Sequence, residues 1–68
     1  MKTFAVAFIN FFDNSLNIEF QKSDTAENAA FQVLDSLNYE VESENMTLEE
    51  IKQFCFDMDC MIDVKEIK

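Results

Sequence analysis

The first apolar run, Thr3 to Phe12, reads Thr-Phe-Ala-Val-Ala-Phe-Ile-Asn-Phe-Phe, and its density of aromatic and aliphatic residues predicts a strand over 3–12. Two-residue alternation places Phe4, Val6, Phe8 and Phe12 on one face and Ala5, Ala7, Ile9 and Phe11 on the other. Both faces are apolar, which suits the centre of a sheet. Asp13-Asn14-Ser15 then supplies a turn, because Asn and Asp tolerate positive φ and hydrogen-bond their own backbone. Over 16–22 the alternation is clean, with Leu16, Ile18 and Phe20 against Asn17, Glu19 and Gln21. That is the second strand of a hairpin, expected to be covered on one face only.

Beyond the hairpin the period changes. Asp24-Thr25-Ala26-Glu27 has the spacing of a helix cap followed by a carboxylate that reaches back, and Ala26, Ala29, Ala30, Val33, Leu34 and Leu37 recur at helical intervals. A helix over 25–37 follows, with Asn38 as the left-handed residue past its end. Tyr39 to Ser43 alternates, as a short strand or an extended connector does, and a polar turn surrounds Glu44 and Asn45. Thr47 to Glu50 repeats the capping signature, and Leu48, Ile51, Phe54, Cys55 and Met58 share one face of a helix over 47–58. Cys60 to Ile67 returns to a strand pattern, with Cys60, Ile62 and Val64 facing one way.

The order β-β-α-(β)-α-β predicts a small single α+β domain over 1–68, its N-terminal hairpin joined to a mainly antiparallel sheet with both helices packed on one face. Strand one belongs in the middle, with the last strand beside it. Two short helices cover one sheet face, so Ala5, Ala7, Ile9 and Phe11 need another cover. A loop, a second copy of the chain or a foreign partner would each provide one.

Composition narrows the chemistry. The chain has 68 residues, 49% of them hydrophobic and eight of them Phe, which argues for a folded core although a domain of this size holds a surplus of only about 3–5 kcal/mol. Fourteen acidic residues against five lysines give a net charge of −9, and there is no arginine, histidine, glycine or proline. Direct binding of nucleic acid rests on cationic contacts and is not expected. Without histidine the commonest general base and metal ligand is missing, so neither catalysis nor a cofactor is expected. The stretch Phe4 to Ile9 is far short of the roughly 20 residues of a membrane span, and Met1-Lys2-Thr3 lacks a signal-peptide layout, so a cytoplasmic protein is expected.

Individual reactive side chains have structural readings. Cys55 and Cys60 are expected as reduced thiols in or near the interior, Cys55 having no histidine to activate it. Glu49 and Glu50 are adjacent on a helix and diverge. Asp57, Asp59 and Asp63 lack the glycine and the further ligands of a calcium loop, so no metal site is expected. Met46, Met58 and Met61 read as adaptable core filler.

Two features point to a protein partner. The acidic load is densest at Glu40, Glu42, Glu44, Glu49 and Glu50, where it either solubilises the chain or imitates the phosphates of nucleic acid toward a basic groove. The second feature is the corner Phe11-Phe12-Asp13-Asn14. Adjacent strand residues point to opposite faces, so Phe12 is expected in the core, and Phe11, beside Asp13 and Asn14, is either covered by a loop or exposed as an aromatic anchor.

The opening Phe-Ala-Val-Ala-Phe-Ile-Asn-Phe-Phe-Asp-Asn, the second strand, and then Ser-Asp-Thr-Ala-Glu-Asn-Ala-Ala resemble the layout of small phage-encoded proteins over about half the chain. The run Val6 to Asn14 is similar to the phage antitoxin called discriminator of mRNA degradation. In size, charge and α+β make-up the chain resembles anti-CRISPR and anti-restriction inhibitors as a class. The resemblance implies a non-enzymatic, stoichiometric inhibitor of a host or bacterial-defence protein, such as a nuclease, an effector complex or a toxin, met on a basic surface in the host cytoplasm. A homo-oligomeric structural or regulatory protein and a small-molecule-sequestering protein are the alternative expectations.

Overall fold

A computed structural model describes residues 1–40 and 45–68. The elements are β1 (Lys2–Asn10), β2 (Ser15–Ser23), α1 (Ala26–Ser36), α2 (Leu48–Asp57) and β3 (Cys60–Ile67). The three strands form one antiparallel sheet in the order β2-β1-β3, so the strand that is apolar on both faces is the central one. The α+β class, the central β1 and the adjacent β3 agree with the sequence pattern. Tyr39 and Glu40 have no regular structure, and the rest of the segment expected as a short strand or connector, with the turn at Glu44, lies outside the described residues. Among the described residues no helix is long and apolar enough to cross a membrane.

One side of the sheet carries the core. Phe4, Val6 and Phe8 of β1 with Cys60 and Ile62 of β3 meet Ala29, Ala30, Val33 and Leu34 of α1 and Ile51 and Cys55 of α2, all buried. The alanine pair lets α1 approach the sheet closely, and its spacing with Val33 and Leu34 is the apolar stripe of a helix packed on one side. Leu48 and Phe54 of α2 are half-buried against the same cluster. Met58, expected on that face, is exposed because it is the C-cap residue, where the helical period has ended. Met46 packs against the core, whereas Met61 is exposed.

Local side-chain chemistry fixes the corners. Thr47 forms the expected capping box with Glu50: its hydroxyl accepts from the Glu50 amide, and the Glu50 carboxylate accepts from the Thr47 amide. The cap of α1 is Thr25 rather than Asp24. Its hydroxyl accepts from the Asn28 amide at 3.1 Å, which leaves Glu27 one residue too early to reach back. Past the end of α1, Asn38 adopts φ 66°, as expected; its amide donates to the Asp35 carbonyl and that of Tyr39 to the Leu34 carbonyl. This reversal carries the Tyr39 ring back to within 5.5 Å of the Phe8 ring. Asp59 holds φ 59° at the end of α2, where the Cys60 thiol donates to the Cys55 carbonyl at 3.0 Å.

The hairpin departs from expectation by one residue, with a large consequence. β1 ends at Asn10, whose side chain accepts from the Phe12 amide, and Asp13 accepts from the Ser15 amide. The loop is therefore the four residues Phe11 to Asn14, with Asn14 at φ 57°. Since Asn10 pairs with Ser15, every even-numbered residue of β1 lies opposite an odd-numbered residue of β2. Asn17, Glu19 and Gln21 thus join the helix side of the sheet, and Leu16, Ile18 and Phe20 join Ala5, Ala7 and Ile9 on the other. A one-residue change in loop length reverses the faces of a whole strand. Phe12, expected in the core, is 90% exposed, because it belongs to the loop and not to β1.

Candidate interaction surface

The face of the sheet away from the helices is open. Strand register defines it as four rungs: Leu16, Ile9 and Met61; Ile18, Ala7 and Asp63; Phe20, Ala5 and Lys65; Lys22, Thr3 and Ile67. The central column of Thr3, Ala5, Ala7 and Ile9 is half-buried by its neighbours. The outer columns stand above it: Leu16 and Ile18 are each 59% exposed, Phe20 69%, Met61 46% and Ile67 47%. With side chains of about 200 Å² apiece, these five present roughly 600 Å² of apolar surface. That is the upper end of the largest patch a monomeric protein usually carries, about 300–600 Å².

Charge is sorted between the two sides. Lys22 and Lys65 lie on the open face with a single carboxylate, Asp63, so its strands carry a net +1 on a chain of −9. Glu19 and Glu66 project to the helix side, and Glu27, Asp35, Glu49, Glu50 and Asp57 belong to the helices. Lys2 pairs with Glu66 at 3.9 Å, and Lys52 reaches from α2 around the sheet edge to Asp63 at 3.5 Å. Beneath that pair, a shallow groove of about 410 Å³ runs between α2 and β3, lined by Lys52, Gln53, Phe56 and Met61 among others. Met61 and Asp63, which line it, also belong to the open face.

The residues singled out in the sequence fall into separate places. Phe11, 46% exposed, Asp13 and Asn14 sit in the hairpin loop, where the Phe11 amide donates to the Asp59 carbonyl and ties the loop to the corner before β3. Hydrogen bonds from Ser15 hold the Asp13 carboxyl below its usual range. Glu49 and Glu50 occupy the first turn of α2, where they complement the positive end of the helix dipole. Glu40 is exposed beyond the corner at Tyr39, while Glu42 and Glu44 lie outside the described residues. The structure thus divides these residues between the loop and the helix layer. Sequence reasoning left out of the open face Leu16, Ile18 and Phe20, whose alternation was legible but whose direction depended on the loop, and also Lys65, Ile67 and Met61, the last expected as core filler.

Cys55 and Cys60 are buried free thiols. Burial, then the neighbouring Cys60, pushes the Cys55 thiol up to about 12. Burial also raises Cys60 and Tyr39, against hydrogen bonds from Cys55 and Tyr39 that lower Cys60. Thiols raised in this way stay protonated at neutral pH and serve as small apolar groups and weak donors. Among the described residues no group of three or more Cys, Asp or Glu side chains converges as a metal site requires.

Comparison with protein-family models, curated proteins and solved structures finds no match. The class that the geometry defines is a small α+β domain whose sheet has one face covered by two helices and one face open.

Proposed function

We propose that this chain is a non-enzymatic protein-binding module that works through the open face of its sheet. One observation carries the reading: the three large apolar side chains of β2 face solvent side by side on one sheet face of a chain whose net charge is −9. Burying an aliphatic or aromatic side chain of this size is worth roughly 1.5–3 kcal/mol, comparable with the whole surplus of about 3–5 kcal/mol of so small a domain. A protein docked on this face recovers that free energy. The test is site-specific photo-cross-linking. With p-benzoylphenylalanine in place of Phe20, the bound protein is captured; the same probe at Gln32, exposed on α1, captures little. Capture from position 32 and none from position 20 contradicts the reading.

The sorting of charge supports a second role on the opposite side. An acidic helix layer suits inhibition of a bacterial host or defence protein with a basic, nucleic-acid-handling surface, such as a nuclease, effector complex or toxin, within the cytoplasm. The carboxylates steer approach more than they add affinity. Changing Asp35, Glu40 and Glu49 together to Lys, which leaves the Glu50 side of the capping box in place, slows association with such a target about tenfold at low salt. Association that ignores both this change and ionic strength rules the role out.

A further inference from the structure

We propose that the occupant of the open face is a second copy of this chain, which makes the protein a face-to-face homodimer; this rests on the reading of that face as the binding surface. Three observations converge on self-association.

The first is charge. Most of the chain's acidity lies on the helix side and at the corners, so two copies meeting through their sheets do not oppose carboxylate with carboxylate over the interface. A strongly basic partner, in contrast, is drawn to the helix layer and finds only Asp63 on the open strands.

The second is the order of residues on the four rungs. A twofold axis that crosses the strands between the Ala7 and Ala5 rungs sets each rung against a matching one of the second copy. Ile18 then faces Phe20, Ala7 faces Ala5, Met61 faces Ile67, and Leu16 lies on the aliphatic stem of Lys22. On the same axis Asp63 of each copy faces Lys65 of the other, twice over. Every apolar residue meets an apolar group, Ile9 meeting the Thr3 methyl, and the two opposite charges meet each other. This is the self-complementarity that an isologous interface requires. Aligned sheets packed about 10 Å apart, their strands about 30° off parallel, accommodate it.

The third is area. The five exposed apolar side chains supply about 600 Å² per copy, so a pair buries about 1,200 Å². That clears the roughly 1,000 Å² expected of a specific interface and lies at the low end of the standard size.

Sedimentation equilibrium at pH 7 tests the proposal. The unaltered chain sediments at twice its 7.9 kDa mass at micromolar concentration. Ile18→Lys, at an exposed position, keeps the circular dichroism of the folded chain and sediments as a monomer. Asp63→Lys and Lys65→Asp each weaken the dimer about tenfold, since each replaces two attractions by two repulsions; adding Lys65→Asp to Asp63→Lys, with the exposed Lys52–Asp63 pair lost in both chains, recovers most of that loss. Double-swap recovery carries the test even if Ile18→Lys does not fold.

A chain that stays monomeric to millimolar concentration overturns the proposal, as does a dimer indifferent to Ile18→Lys and to both charge changes. Cross-linking from position 20 separates the two levels. A monomer captured there by a different protein keeps the open face as the binding surface and removes the second copy. A monomer with nothing captured there removes both.

Discussion

Phe8 and Phe12 stand four residues apart and would share the core face if β1 ran to residue 12, yet only Phe8 is in the core. The change of Phe to Ala is chemically the same at both positions, so the difference in cost reads out where the strand ends. Phe8 is 2% exposed, and nearly all of a side chain of about 200 Å² is out of water; at about 25 cal/mol/Å² its removal costs up to about 5 kcal/mol. Measured Phe to Ala changes in cores cost about 3–5 kcal/mol. Phe12 is 90% exposed, which leaves about 20 Å² hidden and a cost near 0.5 kcal/mol. Urea unfolding followed by far-ultraviolet circular dichroism, at one protein concentration throughout, separates the two. With a slope of about 1 kcal/mol/M, Phe12→Ala lowers the midpoint by about 0.5 M or less. Phe8→Ala removes the domain's surplus of about 3–5 kcal/mol and shows no folded baseline. A loss of 2 kcal/mol or more at Phe12, or a cooperative transition with less than about 1 kcal/mol lost at Phe8, refutes the placement of the loop and with it the direction of β2.

Two further outcomes follow from the corners and the thiols. Thr47→Ala removes the hydroxyl that accepts from the Glu50 amide, leaving the residue-47 amide free to donate to the Glu50 carboxylate, and costs about 1 kcal/mol in urea unfolding, whereas Thr47→Ser retains most of it; equal losses in the two variants contradict the cap. In the native chain at pH 8 both cysteines resist a thiol reagent and react together on unfolding. Because the folded-state values of Cys55, Cys60 and Tyr39 are raised, the unfolded chain gives up these protons first. The thiols' contribution to stability is whole below the ordinary thiol range and declines as pH rises through it, for Cys55 toward about 12, and that of Tyr39 declines from the ordinary phenol range upward. A stability flat or rising from pH 8.5 to 11 contradicts this.

Much of the fold is legible in the sequence because local periodicity and capping agree with the tertiary arrangement. The bounds of β3, the box at Thr47 and Glu50, and the left-handed Asn38 all rest on short-range chemistry that a single segment displays. The direction of β2 does not. Its alternation shows that Leu16, Ile18 and Phe20 share a face, but which face depends on whether the loop has three residues or four. Asn10 decides that by capping the Phe12 amide, a choice between two hydrogen-bonding patterns of almost equal appeal in the sequence. The cap at Thr25 in place of Asp24 is the same kind of one-residue contest, but its outcome moves little. The candidate surface was therefore half visible: the uncovered face of β1 followed from its pattern, while the apolar column beside it emerged only with the register.

Intermolecular nuclear Overhauser effects in a mixture of isotope-labelled and unlabelled chains test the central claim most directly. The account predicts contacts between copies confined to the open face, foremost from the Ile18 methyls of one chain to the Phe20 ring of the other. Contacts that instead join residues of α1 or α2, or none at millimolar concentration, contradict it.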